Sequence, residues 1–221
     1  ALSELAGCGA AGVVAIGLAE DDRLVAALTT QGGQELLLVS AQAKAIRFQE
    51  DTVRSQGAAA GGMRGITLRE GDAVVAAGVA RADGELLVAT ARGYAKRAPL
   101  SEFPTQGRGG GGVSVVDTTK VQLTGELVDA CVVAPNEQVA LVTEEGSTYL
   151  LAVADVPALP RASWGRIVSA SRRYALTPNK DETLARCVPL GVPGGDGSRA
   201  GGSARAKPRT RATRSAAART T

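Results

Sequence analysis

Short runs of Val, Leu, Ile and Ala alternate along this chain with clusters of Gly, Asp, Glu and Gln. That pattern marks short, largely buried strands separated by tight turns. The first complete set reads Val13–Leu18, Leu24–Leu28, Glu35–Ser40 and Lys44–Phe48. A second reads Met63–Leu68, Val74–Val79, Glu85–Thr90 and Tyr94–Ala98, and a third Val113–Val116, Glu126–Val133, Gln138–Thr143 and Ser147–Val153. A partial last set holds Arg166–Ala170 and Thr183–Val188 around an irregular Ser171–Asp181 insert. No segment longer than about ten residues keeps a helical apolar period, so little helix is expected. Gly32-Gly33, Asp83-Gly84 and Glu145-Gly146 fall where hairpin turns require positive φ.

The sets are copies of one another. A shift of 50 lays Gly12-Val13-Val14-Ala15-Ile16 on Gly62-Met63-Arg64-Gly65-Ile66, Ser40 to Arg47 on Thr90 to Arg97, and Gln56-Gly57 on Gln106-Gly107. A shift of 53 carries Gly93 onto Gly146, Arg97 onto Leu150 and Arg108 onto Arg161. Leu2-Ser3-Glu4-Leu5 echoes Leu100-Ser101-Glu102-Phe103, so the chain is expected to open in mid-repeat. Four-stranded units of this size suit radial or spiral packing as blades, because one such sheet cannot bury both faces alone. The expected architecture is all-β, with a repeat domain over residues 1–190. After Leu190 the composition turns to Gly, Ser, Ala, Pro, Arg and Thr, and residues 191–221 are expected to form a disordered basic tail.

Charge is divided the same way. The tail holds seven basic groups against Asp196, a net of +6, and the remainder carries 18 basic and 21 acidic residues, a net of −3. The overall +3 therefore belongs to the tail. Histidine is absent, which removes the usual partner in zinc sites and in triad chemistry. Cys8, Cys131 and Cys187 lack metal-type spacing and are expected to be reduced, buried hydrophobes. No apolar run is long enough for a membrane helix.

Within each unit, positive charge and glycine gather after the fourth strand. Unit one offers Lys44, Arg47, Arg54 and Arg64; unit two offers Arg92, Lys96, Arg97 and Arg108; unit three keeps Arg161 and Arg166. If the repeat superposes these positions, they form a stripe along one edge, the arrangement a duplex phosphate backbone selects without sequence preference. Gln106 to Gly112 contains a formal G-x-G-x-x-G, but a strand-like Val113–Val116 follows it where a dinucleotide site needs a helix. Gln106, Arg108, Gly109 and Gly110 are expected instead to form a tight loop whose backbone N–H groups approach a phosphate. Acidic pairs such as Asp21-Asp22, Glu50-Asp51 and Glu144-Glu145 read as solvated turns, and Trp164 as a packing plug.

Ala45-Ile46-Arg47-Phe48, Gly62 to Asp72 and Gly93 to Phe103 resemble the C-terminal domain of the DNA gyrase A protein, with the corresponding protein of topoisomerase IV the near alternative. The resemblance covers about residues 1–190. It implies a β-pinwheel, a propeller-like disc with strands exchanged between neighbouring blades, whose basic rim wraps double-stranded DNA. In the family this wrapping supports ATP-dependent negative supercoiling, together with the gyrase B protein and the N-terminal part of the gyrase A protein, in the bacterial cytoplasm or an organelle stroma. The family's box reads Q-R-R-G-G-K-G, and Gln106 to Gly112 resembles it at Gln106, Arg108, Gly109, Gly110 and Gly112. Gly107 and Gly111 stand where the box is basic, as in a degenerate later-blade copy. No catalytic residue, metal site or cofactor is expected in this segment, since ATP and Mg2+ act elsewhere in the holoenzyme. Arg173-Tyr174 imitates the family's cleavage pair only locally. A protein–protein interaction platform is the competing class of function.

Overall fold

The repeat builds a succession of short antiparallel strands. The computed structural model describes residues 9–10, 12–57, 60–163, 166–167 and 182–192. The strands are β1 (Glu35–Ser40), β2 (Lys44–Gln49), β3 (Val74–Ala80), β4 (Glu85–Thr90), β5 (Tyr94–Pro99), β6 (Val113–Ser114), β7 (Leu127–Val133), β8 (Gln138–Thr143), β9 (Thr148–Ala152), β10 (Arg166–Ile167) and β11 (Leu184–Gly191). A four-residue helix, α1 (Val121–Thr124), lies between β6 and β7.

Each sheet draws on several units. The β1–β2 hairpin takes β3 of the next unit on one side and β6 of the one after on the other, giving the order β3-β1-β2-β6. The second sheet repeats the rule as β10-β5-β4-β7, and the third is β11-β8-β9. Leu37 stands opposite Arg47 and Leu87 opposite Arg97 in equivalent registers. The chain is thus all-β, a blade repeat with strands exchanged between neighbours.

The apolar runs of the hairpins are buried between successive sheets. Leu37, Val39, Leu86, Val88, Phe103 and Leu127 pack between the first two sheets, and Leu87, Val133, Val139, Leu141, Leu151 and Leu184 between the next two. Alternation along β1 sends Leu36 and Leu38 to the other face, against Ile46, Phe48 and Ile66. The hairpin turns repeat one device: Thr90 Oγ1 accepts Tyr94 N–H (3.3 Å), and Ser40 Oγ and Thr143 Oγ1 accept Lys44 and Ser147 N–H. Ala43, at φ 60°, occupies the left-handed place that Gly93 and Gly146 fill in the later units.

Three expected strands do not form. Val13–Leu18, Leu24–Leu28 and Met63–Leu68 carry no ladder, and Val13, Val14, Ile16, Leu18, Leu24 and Leu28 are exposed. The exchange rule gives the reason. A second strand pairs with the hairpin one unit earlier and a first strand with the hairpin two units earlier. For these segments that hairpin would stand at least one repeat before β1–β2, and none does among the described residues. A strand without a ladder partner leaves its backbone groups to water, whatever its propensity. Gly84 also departs from expectation. It has no positive φ and joins β3 to β4, which are not paired; a Cβ there would meet Leu100 Cδ1 at 3.0 Å. Cys8, Trp164, the whole Ser171–Asp181 insert with its Arg173-Tyr174, and the tail from Pro193 lie outside the described residues.

Candidate nucleic-acid interface

Strand order places β3, β7 and β11 at one edge of their sheets and β6 and β10 at the opposite edge. At that second edge, the segment leaving β5 crosses back onto the preceding hairpin as an outer strap. Leu100–Glu102 makes a 3-10 turn, Thr105 bridges Arg47 in parallel, and Val113 and Ser114 then pair with Ala45 and Lys44. The segment leaving β9 repeats this path: Ala158 bridges Arg97, and Arg166 and Ile167 pair with Ala95 and Tyr94.

The glycine stretch is the tightest part of the first strap. Gly109 N–H donates to Gly65 O (2.8 Å) and Gly110 N–H to Gly107 O (3.3 Å). Thr67 answers with N–H to Gly110 O (2.9 Å) and Oγ1 to Gly109 O (2.6 Å). Gly112 has φ 67°, and a Cβ on it would stand 2.5 Å from Ala45 O. The amides expected to face a phosphate are therefore committed at Gly109 and Gly110. Arg108 is committed too, donating from Nε to Thr52 O (3.0 Å) and from Nη1 to Arg64 O (2.5 Å). Gln106 N–H donates to Arg47 O (2.7 Å). The loop is a clasp between units, closed by strand β6.

Arg47 and Arg97 lie beneath the straps. Arg47 Nε donates to Glu35 Oε2 (2.7 Å) and Nη1 to Leu100 O (3.0 Å). Arg97 donates from Nη1 to Glu85 Oε2 (2.5 Å) and from Nε to Val156 O (2.8 Å). Burial pushes the Glu35 carboxyl up, but hydrogen bonds from Thr105 and Arg47 outweigh it and hold the group below the usual carboxylate range. Glu35 and Glu85 escaped the sequence reading, although their 50-residue separation equals that of their arginines.

Lys96 corrects the expected stripe most sharply. The residue is 1% exposed, with Nζ donating to Pro160 O (2.8 Å), Arg161 O and Ser163 Oγ (3.4 Å). Burial, assisted by Arg161 and opposed by Glu102, takes its pKa down to about 8. A group enclosed in this way has no access to a phosphate.

Five further expected cations, Lys44, Arg54, Arg64, Arg92 and Arg161, stay accessible. Arg54 and Arg64 are exposed beside the Arg108 clasp, since Arg108 joins Thr52 O to Arg64 O. Half-buried Lys44 donates Nζ to Ser114 Oγ (2.9 Å), and Arg161 donates Nη1 to Ser114 O, so these two cations meet on one residue. Arg92 is exposed at the β4–β5 turn and donates Nη1 to Gln122 O within α1 (2.7 Å). Lys120 and Arg69, exposed near α1, stand outside the superposed positions, and the repeat gives no signal for them. Among the described residues, no cluster of acidic groups or cysteines could hold a metal ion, and no helix is long and apolar enough to cross a membrane.

A family model described as the DNA gyrase C-terminal domain, beta-propeller, matches residues 2–31, 34–81, 84–130 and 137–184. The DNA gyrase A protein of Salmonella typhimurium (strain LT2) is 40% identical over 57 residues, which is 26% of this chain and 6% of that protein. The crystal structure of the C-terminal domain of DNA topoisomerase IV superposes with a TM-score of 0.72 at 28% identity, covering 80% of this chain and 53% of that one. The C-terminal domain of DNA gyrase A superposes with a TM-score of 0.73 at 22% identity, over 81% of this chain and 58% of that one. The matched region thus spans little more than half the length of these solved domains, and 6% of the Salmonella protein.

Proposed function

Since the chain belongs to the DNA gyrase C-terminal domain family, we propose that it binds and wraps double-stranded DNA within the DNA-cleaving half of a type IIA topoisomerase. The observation that carries this reading is the outer edge itself. Arg54 and Arg64 flank the clasp on one strap, and Lys44 and Arg161 meet on Ser114 where that strap ends. Cations spaced along one edge attract a polyanion by releasing its counterions, without reading bases. The Salmonella relative is a gyrase A protein, and on that similarity the gyrase assignment is put ahead of topoisomerase IV. Under it, the gyrase B protein and the N-terminal part of the gyrase A protein are the protein partners, the bacterial cytoplasm is the location, and ATP and Mg2+ act outside this segment.

Wrapping requires a bend costing on the order of 1–6 kcal/mol per 20–30 base pairs, offset by phosphate contacts. With Lys96 enclosed and Arg47, Arg97 and Arg108 committed, about five of the expected groups remain to engage, which predicts a slope of log affinity against log salt of roughly −4 to −5. The test is a gel shift with a duplex of about 150 base pairs at several salt concentrations, followed by ligation and measurement of linking number. A salt-dependent complex with a linking-number change supports wrapping. A complex without such a change reduces the role to simple binding, and no complex at all favours the protein–protein platform.

A further inference from the structure

We propose that Glu35–Arg47 and Glu85–Arg97 are positioning pairs that set the angle between successive units, and through it the curvature of bound duplex. The part concerning curvature rests on the wrapping reading above. In each pair the carboxylate on the first strand of a hairpin orients the guanidinium on the second. The guanidinium's remaining N–H groups then hold the strap arriving from the next unit, through Leu100 O for Arg47 and Val156 O for Arg97. Arg47 Nη1 also reaches Phe103 O (3.5 Å), the carbonyl that the repeat superposes on Val156 O. The backbone reinforces both grips, with Gln106 N–H on Arg47 O (2.7 Å) and Leu159 N–H on Arg97 O (3.0 Å).

The position of the grip is what gives it leverage. β5 ends at Pro99, and the first latch closes at Leu100, the next residue. The exit of one hairpin is thereby pinned to the middle of the preceding one, so the two sheets cannot tilt without breaking the latch. The pairs are shielded, with side chains 20% and 18% exposed in the first and 16% and 13% in the second. Shielding strengthens the attraction and removes these arginines from contact with phosphate. In the third unit Gln138 and Leu150 take the corresponding places, so no such pair forms there. Because Arg54 and Arg64 belong to different units from Lys120 and Arg161, the inter-unit angle fixes how their charges lie along a duplex.

Two readings on the whole chain test this, with Glu35→Gln/Glu85→Gln and Arg47→Lys/Arg97→Lys variants. In the free protein, spin labels at Asp51→Cys and Asn136→Cys, in a Cys8→Ser background, report the distance across both junctions. The expected result is a clearly broadened distance distribution in either variant. With DNA, the salt slope is expected to stay within about one unit of wild type, while the linking-number change per bound protein falls at least twofold. An unchanged distance distribution overturns the proposal, as does an unchanged linking number with binding intact. If wild-type protein binds no DNA, the wrapping reading fails, and the label distances alone decide the angle. If a double variant does not fold, Glu85→Gln alone decides by the same distances.

Discussion

Lys96 stands where Ile46 stands one unit earlier, each beneath the turn of its outer strap, and the two fill that place by opposite chemistry. Ile46 presents a methyl group to Gly110, 3.4 Å from where a Cβ would be, whereas Lys96 places an ammonium among the carbonyls of Pro160 and Arg161. An apolar plug needs a bare glycine turn above it; an ammonium needs a turn whose oxygens converge.

That enclosure makes Lys96 a source of pH dependence. Its folded pKa of about 8 lies below the unfolded 10.5, so between those values the unfolded chain holds the extra proton and stability rises with pH. Lys96→Met should abolish this rise, a difference on the order of 2 kcal/mol. Denaturant midpoints of both proteins at pH 7.5 and pH 10 measure it, and parallel behaviour would contradict the enclosure.

The clasp makes unequal demands on neighbouring glycines. Gly112→Ala should destabilise by about 2 kcal/mol or more, since it forces both a left-handed φ and a collision with Ala45 O. Gly111→Ala meets nothing within 4 Å and should change stability by roughly 0.5 kcal/mol or less. Equal midpoints in urea would refute the distinction.

Exposed and enclosed cations should part company in DNA binding. Arg54→Ala and Arg64→Ala should each flatten the log–log salt slope by about one and weaken all sequences alike. Lys96→Ala should leave the slope unchanged. Titrations at four salt concentrations suffice, and a slope that responds to Lys96 but not to Arg54 would be fatal to this assignment.

Glu137 supplies stability at neutral pH that is lost on the acid side. The Arg81 guanidinium (2.7 Å) holds its carboxyl below the usual carboxylate range, burial opposes, and Ala134 N–H assists. A depressed carboxylate contributes above its unfolded pKa and loses that contribution as pH falls through the folded one. Wild type should therefore lose more melting temperature than Glu137→Gln between pH 7 and pH 3.

Cys131 and Cys187 are buried in the core between the second and third sheets. A hydrogen bond to Cys131 and complete burial push the Cys187 thiol well up, and thiol reactivity requires the thiolate. Maleimide at pH 7.5 followed by mass spectrometry should find neither modified in folded protein and both in urea.

Much of the fold was legible in the chain. Glu35–Ser40, Glu85–Thr90 and Gln138–Thr143 came out at their full bounds because each is flanked by strands on both sides, so apolar run and structure coincide. The α1 insert was missed because its four residues are too few to show a period. The periodicity also laid Arg47 on Arg97, and these two do stand in equivalent registers of successive hairpins.

What the amino-acid order determined by itself was the repeat, the hairpins and the charge of each position, since these depend on local pattern. Which cations remain available was decided only in three dimensions. Strand exchange brings the strap of one unit across the hairpin of another, and there Arg47, Arg97 and Arg108 find carbonyls and Lys96 is covered. The same exchange left Leu24–Leu28 and Met63–Leu68 without ladders, because a strand forms only where another backbone supplies the missing half of its hydrogen bonds.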